Sequence, residues 1–280
     1  MPVSAADFLY VRQLVQDDSA LSLSDGKEYL VENRLAPLVE RAGLGSLGDL
    51  IDQLRTGAPG LRQHVVEALV THETQFFRDL HPFETLREEI IPAFQRANGA
   101  RRLAMWSAAA SGGQEAYSLA LLMREHFPHI TGGRILATDI SRRVLAQAAA
   151  GRFSQLEVNR GLPAVLLVKH FDRVGREWQL HDNVRSMVTF RQLNLDAPLS
   201  AVPPMDVVFL RNLLIYFNAE AKTALLRRVG KILRAGGYLF LGGAETTYGI
   251  DDSYERVEFG RSICYRLKTK EGLTHDHDRR

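Results

Sequence analysis

The 280-residue sequence is 45% hydrophobic and 24% charged, carries a net charge of +2 and contains one cysteine. Such a chain can bury one large core or two smaller ones, and no apolar run approaches the roughly 20 residues needed to cross a bilayer. A lone cysteine, Cys264 in the strand-like run RSICYRL, leaves no disulfide, structural zinc site or cysteine-ligated iron–sulfur cluster and reads as a small buried side chain.

In the first twenty residues, MPVSAADFLYVRQLVQDDSA, Asp7 and Arg12 interrupt the apolar positions. Neither a signal peptide nor an anchor is expected, and the protein is expected to be cytoplasmic. Up to about residue 72, apolar residues recur at intervals of three and four, as in KEYLVENRLAPLVERAG and LGDLIDQLR, with Ser and Asp at caps and Gly at stops. That spacing predicts a small helical bundle. Residues 1–75 are acidic: Arg12, Lys27, Arg34, Arg41, Arg55 and Arg62 face eleven acids. Lys27, Arg34 and Arg41 are spaced by sevens and share one helix face, a candidate basic stripe set against the plainer alternative of a mixed solvated surface.

From Arg101 onward the pattern changes to short apolar runs, RLAMWSA, RILATDI and MDVVFLRN, separated by helical stretches such as AYSLALLMREHF and AEAKTALLRRVGKIL. Continuous apolar strands alternating with helices predict a parallel sheet covered on both faces, a doubly wound α/β domain. HFDRVGREWQLHDNVRSMVTF breaks the rhythm with alternating strands around turn residues and no room for a crossover helix, so an inserted antiparallel hairpin is expected. The nine histidines form no HExxH-like pair, and HDHDRR at the end reads as a disordered tail rather than a metal site.

The stretch WSAAASGGQEAYSLAL poses a specific question, because seven nearly side-chain-free residues, Ser107 to Gly113, lead from a strand into a helix that carries Glu115 at its start. In an open parallel sheet the ligand lies beyond the carboxyl ends of the strands, usually against the first strand–turn–helix unit. Small residues let the backbone itself approach that ligand, and Gly112 and Gly113 are expected to supply unusual backbone angles. A phosphate loop would show GxGxxG or GxxxxGKS and leave the helix N-terminus free for the anion. Here Glu115 occupies that place. It is either simple compensation of the helix dipole or, with the missing glycine pattern, a sign of a phosphate-free ligand bearing a cation. S-Adenosylmethionine, with its α-amino group and sulfonium, fits the second reading.

RILATDI ends in Asp139, placed to accept ribose hydroxyls from a nucleoside; NAD enzymes share such an acid, and TDIS also reads as a helix cap. FRQLNLD sets Asn194 after a strand, where an amide can meet an adenine edge. MDVVFLRNLLIYF ends a buried strand with Arg211 and Asn212 and brings Tyr216 one turn later. The absence of prolines from RNLLIYF argues against methylation of nucleobase amines.

THETQFFRD, WSAAASGGQEAYSLAL, LATDIS, NLD and FLRNLLIYFN, in this order and spacing, resemble the CheR family of chemoreceptor glutamate methyltransferases. The resemblance spans essentially the whole chain. It implies a helical domain over 1–75 and, over 76–280, a Rossmann-like class I methyltransferase domain with a β-subdomain at about 168–187. It implies S-adenosylmethionine as cofactor and S-adenosylhomocysteine as product. Residue by residue, it puts Thr74 and Arg78 at the cofactor, with Arg78 also beside the transferred methyl. It gives Glu115 the methionine portion, Asp139 the ribose, Ala109 the small-residue turn, Asn194 and Leu195 the adenine side, and Arg211 and Asn212 a further contact. Tyr216 matches the tyrosine beside the methyl donor. Without the resemblance, Phe76, Phe77 and Tyr216 read as packed aromatics and Arg78 as a surface charge.

Three departures qualify the match. His72 stands where the family usually has Asn, so no cofactor contact is carried over there. The tight DRVGREWQL lacks the glycine-containing insertion of members that dock on a receptor's C-terminal pentapeptide, which implies an enzyme that is pentapeptide-independent or wired to another partner. The N-terminal domain is acidic, whereas the family tends to show a basic face. The implied partner is the cytoplasmic helical region of a chemoreceptor or a related signalling complex, with no nucleic acid, no membrane insertion and a monomeric chain. A glutamate is already ionised at neutral pH, so the reaction needs no general base, in keeping with Arg and Tyr at the strand ends instead of a His–Asp couple. Two other functions are compatible with the residues: an O-methyltransferase for another protein or a small molecule, and a non-catalytic module that binds the cofactor to regulate a partner.

Overall fold

The computed structural model describes residues 3–70, 72–99, 101–130 and 134–268; the tail HDHDRR lies outside them. Contacts divide the chain into two compact units. One comprises 1–71 with the short returns 194–197 and 215–222, and the other 72–193, 198–214 and 223–280.

In the first unit the three- and four-residue spacing becomes four helices, α1 (Ala5–Ser19), α2 (Glu28–Arg41), α3 (Leu47–Arg55) and α4 (Leu61–Leu69). Ser4 and Ser46 cap α1 and α3 by accepting from the amides of Asp7 and Asp49. Such caps satisfy donors that a helix start leaves open. Phe8, Val11, Val31, Leu35, Leu50, Ile51, Val65 and Val66 close the bundle core. Arg55 pairs with Asp7 at 2.7 Å and Arg62 with Asp18 at 2.7 Å on its surface. The basic stripe does not form as three equivalent charges. Lys27 sits at the helix cap near the Tyr29 ring, Arg34 bonds the carbonyl of Leu69, and Arg41 folds back 3.2 Å from the carbonyl of Pro37.

The second unit begins with α5 (His81–Thr85), which passes through a π-helical turn (Leu86–Ile90) into α6 (Ile91–Asn98). Then come β1 (Ala104–Ala108), α7 (Gln114–His126), β2 (Arg134–Asp139), α8 (Arg142–Ala150), β3 (Arg152–Ser154), α9 (Gln155–Asn159) and α10 (Ala164–His170). They are followed by β4 (Phe171–Val174), β5 (Glu177–Leu180), α11 (Asp182–Arg185), β6 (Val188–Gln192) and β7 (Met205–Leu210). A 3-10 turn (Leu214–Tyr216) and α12 (Ala219–Ile232) lead to β8 (Leu233–Leu241), β9 (Tyr254–Phe259) and β10 (Ser262–Leu267).

The main sheet runs β6-β2-β1-β7-β8-β10-β9. Its first five strands are parallel, and β10 is antiparallel to both β8 and β9. Every residue of β7 is buried, as a strand covered on both faces must be. Trp106 pairs in register with Leu136 on one side and Val208 on the other, and Phe209 stacks on Phe240 with centroids 4.7 Å apart. From β1 the chain builds outward through β2 to β6, then returns to the other side of β1 with β7. The switch point therefore lies between β1 and β7, where an open α/β sheet leaves a crevice for a ligand. Cys264 is buried in the core, and burial pushes its thiol up to about 12.

The inserted hairpin is β4 and β5 around Gly175 and Arg176. It gains a third strand, β3, which pairs Phe153 with Trp178. The run MVTF does not belong to this small sheet; as β6 it forms an edge of the main one.

Candidate active site

Two left-handed residues with side chains shape the turn after β1: Ala109 at φ 58° and Ser111 at φ 50°. Tertiary hydrogen bonds hold both in place. The Ala110 amide donates to the carbonyl of Thr138 at 2.8 Å, the Ser111 amide to Asp139 Oδ2 at 2.9 Å, and the Ser111 hydroxyl to the carbonyl of His72 at 2.8 Å. Gly113 is required in the strict sense, since its φ is 89° and a Cβ there would lie 2.9 Å from Ala148 Cβ and 3.2 Å from the Phe190 ring. Gly112 does not play the part expected of it. Its φ is not left-handed, and an added Cβ would meet only the flexible Gln114 side chain. The unusual angles fall on Ala109 and Ser111 instead.

Gly113 caps α7 and sets Glu115 in its first turn. The carboxylate accepts from the Ser107 hydroxyl at 2.7 Å and from Arg211 Nη1 at 3.1 Å. Arg211, at the end of β7, has a side chain only 1% exposed. Its Nη2 donates to Asp79 Oδ2 at 2.6 Å and to the carbonyl of Arg78 at 2.9 Å. Its Nε is buried with no acceptor among the described residues. A guanidinium this buried must be paired, and an orphaned donor on it is costly.

Arg211 therefore grips the segment that carries Arg78. That segment is strained, with φ at 46° for Phe77, 64° for Asp79 and 47° for Leu80. Leu80, with ψ −54°, sits at the centre of a γ-turn of the rare hand, closed by the His81 amide donating to the Asp79 carbonyl at 2.5 Å. Strain of this kind persists only where surroundings over-determine it. Ser118 Oγ accepts from the Phe77 amide at 2.9 Å, and Phe76 packs edge-on against Phe153 and Phe171. Gly161, φ 87°, lies so close that a Cβ would stand 2.0 Å from the Phe76 carbonyl oxygen. Among the described residues, the Arg78 guanidinium donates to the carbonyl of Glu73 at 3.4 Å, and Arg78 as a whole is half-buried. Thr74 is half-buried in the same segment.

Asp139, at the tip of β2, is 4% exposed. Its two oxygens accept from the amides of Ser111 at 2.9 Å and Ser141 at 3.0 Å, leaving each a further lone pair. Ser141 is the N-cap of α8, so TDIS is a helix cap while Asp139 also braces the Ala109–Ser111 turn. His72 Nδ1 stands 3.8 Å from Asp139, a His–Asp proximity beyond hydrogen-bonding distance that the sequence did not lead us to expect.

Asn212, φ 56°, donates its amide to Glu245 Oε2 at 2.8 Å, and the same oxygen takes the Gly242 amide at 2.7 Å. The remaining three candidates belong to the first unit. Asn194 commits its amide to the carbonyl of Asp18 at 2.7 Å and to the Asp196 amide at 3.0 Å, Leu195 is buried, and the Tyr216 carbonyl accepts from the Ser22 amide at 2.8 Å. Sequence reasoning missed Asp79, Ser107, Gly161 and Glu245. Asp79 lies inside THETQFFRD and Ser107 inside WSAAASGGQEAYSLAL, so position alone marked those two; Gly161 and Glu245 had no local signal.

The donor set suits the methionine end of adenosylmethionine. Glu115 can accept an ammonium, and the orphaned Nε of Arg211 calls for an acceptor such as a carboxylate. The turn beside them is kept small, and no phosphate-binding glycine pattern competes. With five parallel strands, a reversed β10 inserted before β9, and acids at Glu115 and Asp139, the protein is an adenosylmethionine-dependent methyltransferase of the class I fold.

Comparison with known proteins narrows this further. Residues 72–263 match the family described as CheR methyltransferase, SAM binding domain, and residues 6–70 match its all-alpha domain. The chain is 40% identical to chemotaxis protein methyltransferase 1 of Pseudomonas aeruginosa over 96% of its own length and 100% of that protein's. It is 38% identical to chemotaxis protein methyltransferase Cher2 of Pseudomonas putida, again over 96% and 100%. Chemotaxis protein methyltransferase 1 of Vibrio cholerae shares 37% identity over 91% of this chain and 94% of its own. The chain belongs to the CheR methyltransferase family.

Proposed function

We propose that the enzyme methylates glutamate side chains in the cytoplasmic helical region of a chemoreceptor, giving γ-methyl esters and S-adenosylhomocysteine, and does so without a receptor pentapeptide. The names of its relatives support a chemotaxis substrate. The observation that carries the chemistry is Arg211, whose one buried fork joins Glu115 to the backbone of Arg78. It couples the residue suited to the donor's ammonium with a second cation suited to an acidic acceptor. The two-residue turn at Gly175 and Arg176 supports pentapeptide independence, because no inserted loop is present there.

A bound adenosylmethionine supplies an electrophilic methyl on a positively charged sulfur. The acceptor carboxylate, with an ordinary pKa of about 4.3, arrives ionised, so no proton has to be removed. One carboxylate oxygen would form the new bond to carbon as the carbon–sulfur bond broke, with its electron pair leaving on sulfur. Carboxylates are weak nucleophiles, so rate must come from holding that oxygen in line. We assign this orientation to Arg78, which the strained Phe77–Leu80 segment presents, and the methyl-side contact to Tyr216. Thr74, Ala109, Asp139, Asn194, Leu195, Arg211 and Asn212 are assigned to cofactor binding with Glu115, in a monomeric cytoplasmic protein.

The test is transfer of labelled methyl to purified receptors from the same genome. Label released as methanol by mild base and mapped to glutamate is expected. A base-stable product, or a small-molecule acceptor, overturns the ester assignment, and binding without turnover on any receptor leaves the regulatory-module alternative. Tyr216→Phe separates ring from hydroxyl: unchanged turnover would assign the role to the ring alone.

A further inference from the structure

Arg211 is shared unequally. It offers five N–H donors, and two carboxylates compete for them. Asp79 Oδ2 is 2.6 Å from Nη2, while Glu115 Oε2 is 3.1 Å from Nη1. The side chain of Asp79 is 52% exposed and that of Glu115 12%. The more hydrated acid thus holds the shorter bond, whereas desolvation alone would strengthen the pairing of Arg211 with buried Glu115. A further hydrogen bond to the Arg78 carbonyl pulls Nη2 the same way. The Phe83 ring, 5.9 Å from the guanidinium carbon, flanks the cation without adding charge. Glu115 keeps the Ser107 hydroxyl as its short partner, a neutral donor that leaves its charge in place.

We propose that Asp79 is a positioning residue for donor recognition: it draws Arg211 toward the Arg78 segment and so leaves Glu115 with negative charge and lone pairs for an ammonium ligand. Were Arg211 the dedicated partner of Glu115, a fork-on-carboxylate pair would occupy both oxygens and compete with that ligand. The inference rests on Glu115 receiving the α-amino group in the function proposed above.

The experiment compares two ligands on the full chain by calorimetry. S-Adenosylhomocysteine carries the amino-acid end, and 5′-methylthioadenosine lacks it. Asp79→Asn keeps the shape and removes the charge. We expect it to weaken S-adenosylhomocysteine by about tenfold and leave methylthioadenosine within about twofold, with Asp79→Glu recovering most of the loss. A general loosening of the fold would weaken both ligands together, and that outcome overturns the proposal, as does unchanged binding of both. Glu115→Gln separates the two levels of inference. If it binds S-adenosylhomocysteine like wild type, the reading of Glu115 fails and the role of Asp79 falls with it. If it loses that ligand while Asp79→Asn does not, only Asp79 is wrongly assigned.

Discussion

The helical unit and the sheet unit solve their folding problems differently. In the helical unit, two of the four helices begin at serine caps, the core is aliphatic apart from Phe8 and Phe217, and ion pairs lie on the surface. Among the described residues it holds one left-handed non-glycine residue, Ala20, at a helix end where such an angle is ordinary. Among its described residues the sheet unit holds six, Phe77, Asp79, Leu80, Ala109, Ser111 and Asn212, all in the Arg78 segment or at the ends of β1 and β7. Strain is gathered around the candidate site, and it is held there by clamps from distant parts of the chain. The helical unit is stabilised by local rules; the candidate site is stabilised against them.

The largest effect should come from removing a clamp. Gly161→Ala would place a methyl on the Phe76 carbonyl in a left-handed backbone, and a loss of about 3 kcal/mol, roughly 10 °C in melting temperature, is expected with methyl transfer failing alongside. Calorimetric melting checks it, and a wild-type melting curve would show that the contact is not a clamp. Next is a local rule in the helical unit. Ser46→Ala should cost about 1 kcal/mol in denaturant unfolding and leave donor binding unchanged.

The comparison is sharpest where stability and function should part. Ala109→Gly relieves a left-handed alanine, so a gain of about 0.5 kcal/mol is expected after the entropy of glycine is counted, together with weaker S-adenosylhomocysteine binding as the turn loosens. Equal movement of both quantities in one direction would break the contrast. The smallest effect concerns Glu125, at 2.8 Å from Lys169 Nζ and 2.7 Å from His170 Nε2, whose carboxyl is held below its ordinary value first by the Lys169 ammonium. A depressed acid stabilises above its unfolded pKa and loses that contribution as pH falls through the folded value. The stability gap between wild type and Glu125→Gln, under about 1 kcal/mol with the Lys169 side chain 58% exposed, should shrink below about pH 4.5. Urea unfolding at several pH values reads it directly.

Much of this was legible in the chain. The helical periodicity, the buried strands, the hairpin and the motif order all rest on local patterns that tertiary contacts confirm. The turn after β1 was legible as small but not in its angles, since Ala109 and Ser111 are set by bonds to Thr138, Asp139 and His72 that no window around residue 110 contains. The same limit hid Asp79, which reads as an ordinary acid until Arg211, 132 residues away, is placed against it. Asn194 shows it again: its amide is committed to the carbonyl of Asp18, across a separation of 176 residues.

The sole sulfhydryl, interred in the sheet core and scarcely ionised at physiological pH, has a practical corollary. Maleimide or nitroxide reagents should ignore the unaltered enzyme. A cysteine introduced at any solvent-facing position would then carry a fluorophore or spin label at one defined address, with no background substitution to remove beforehand.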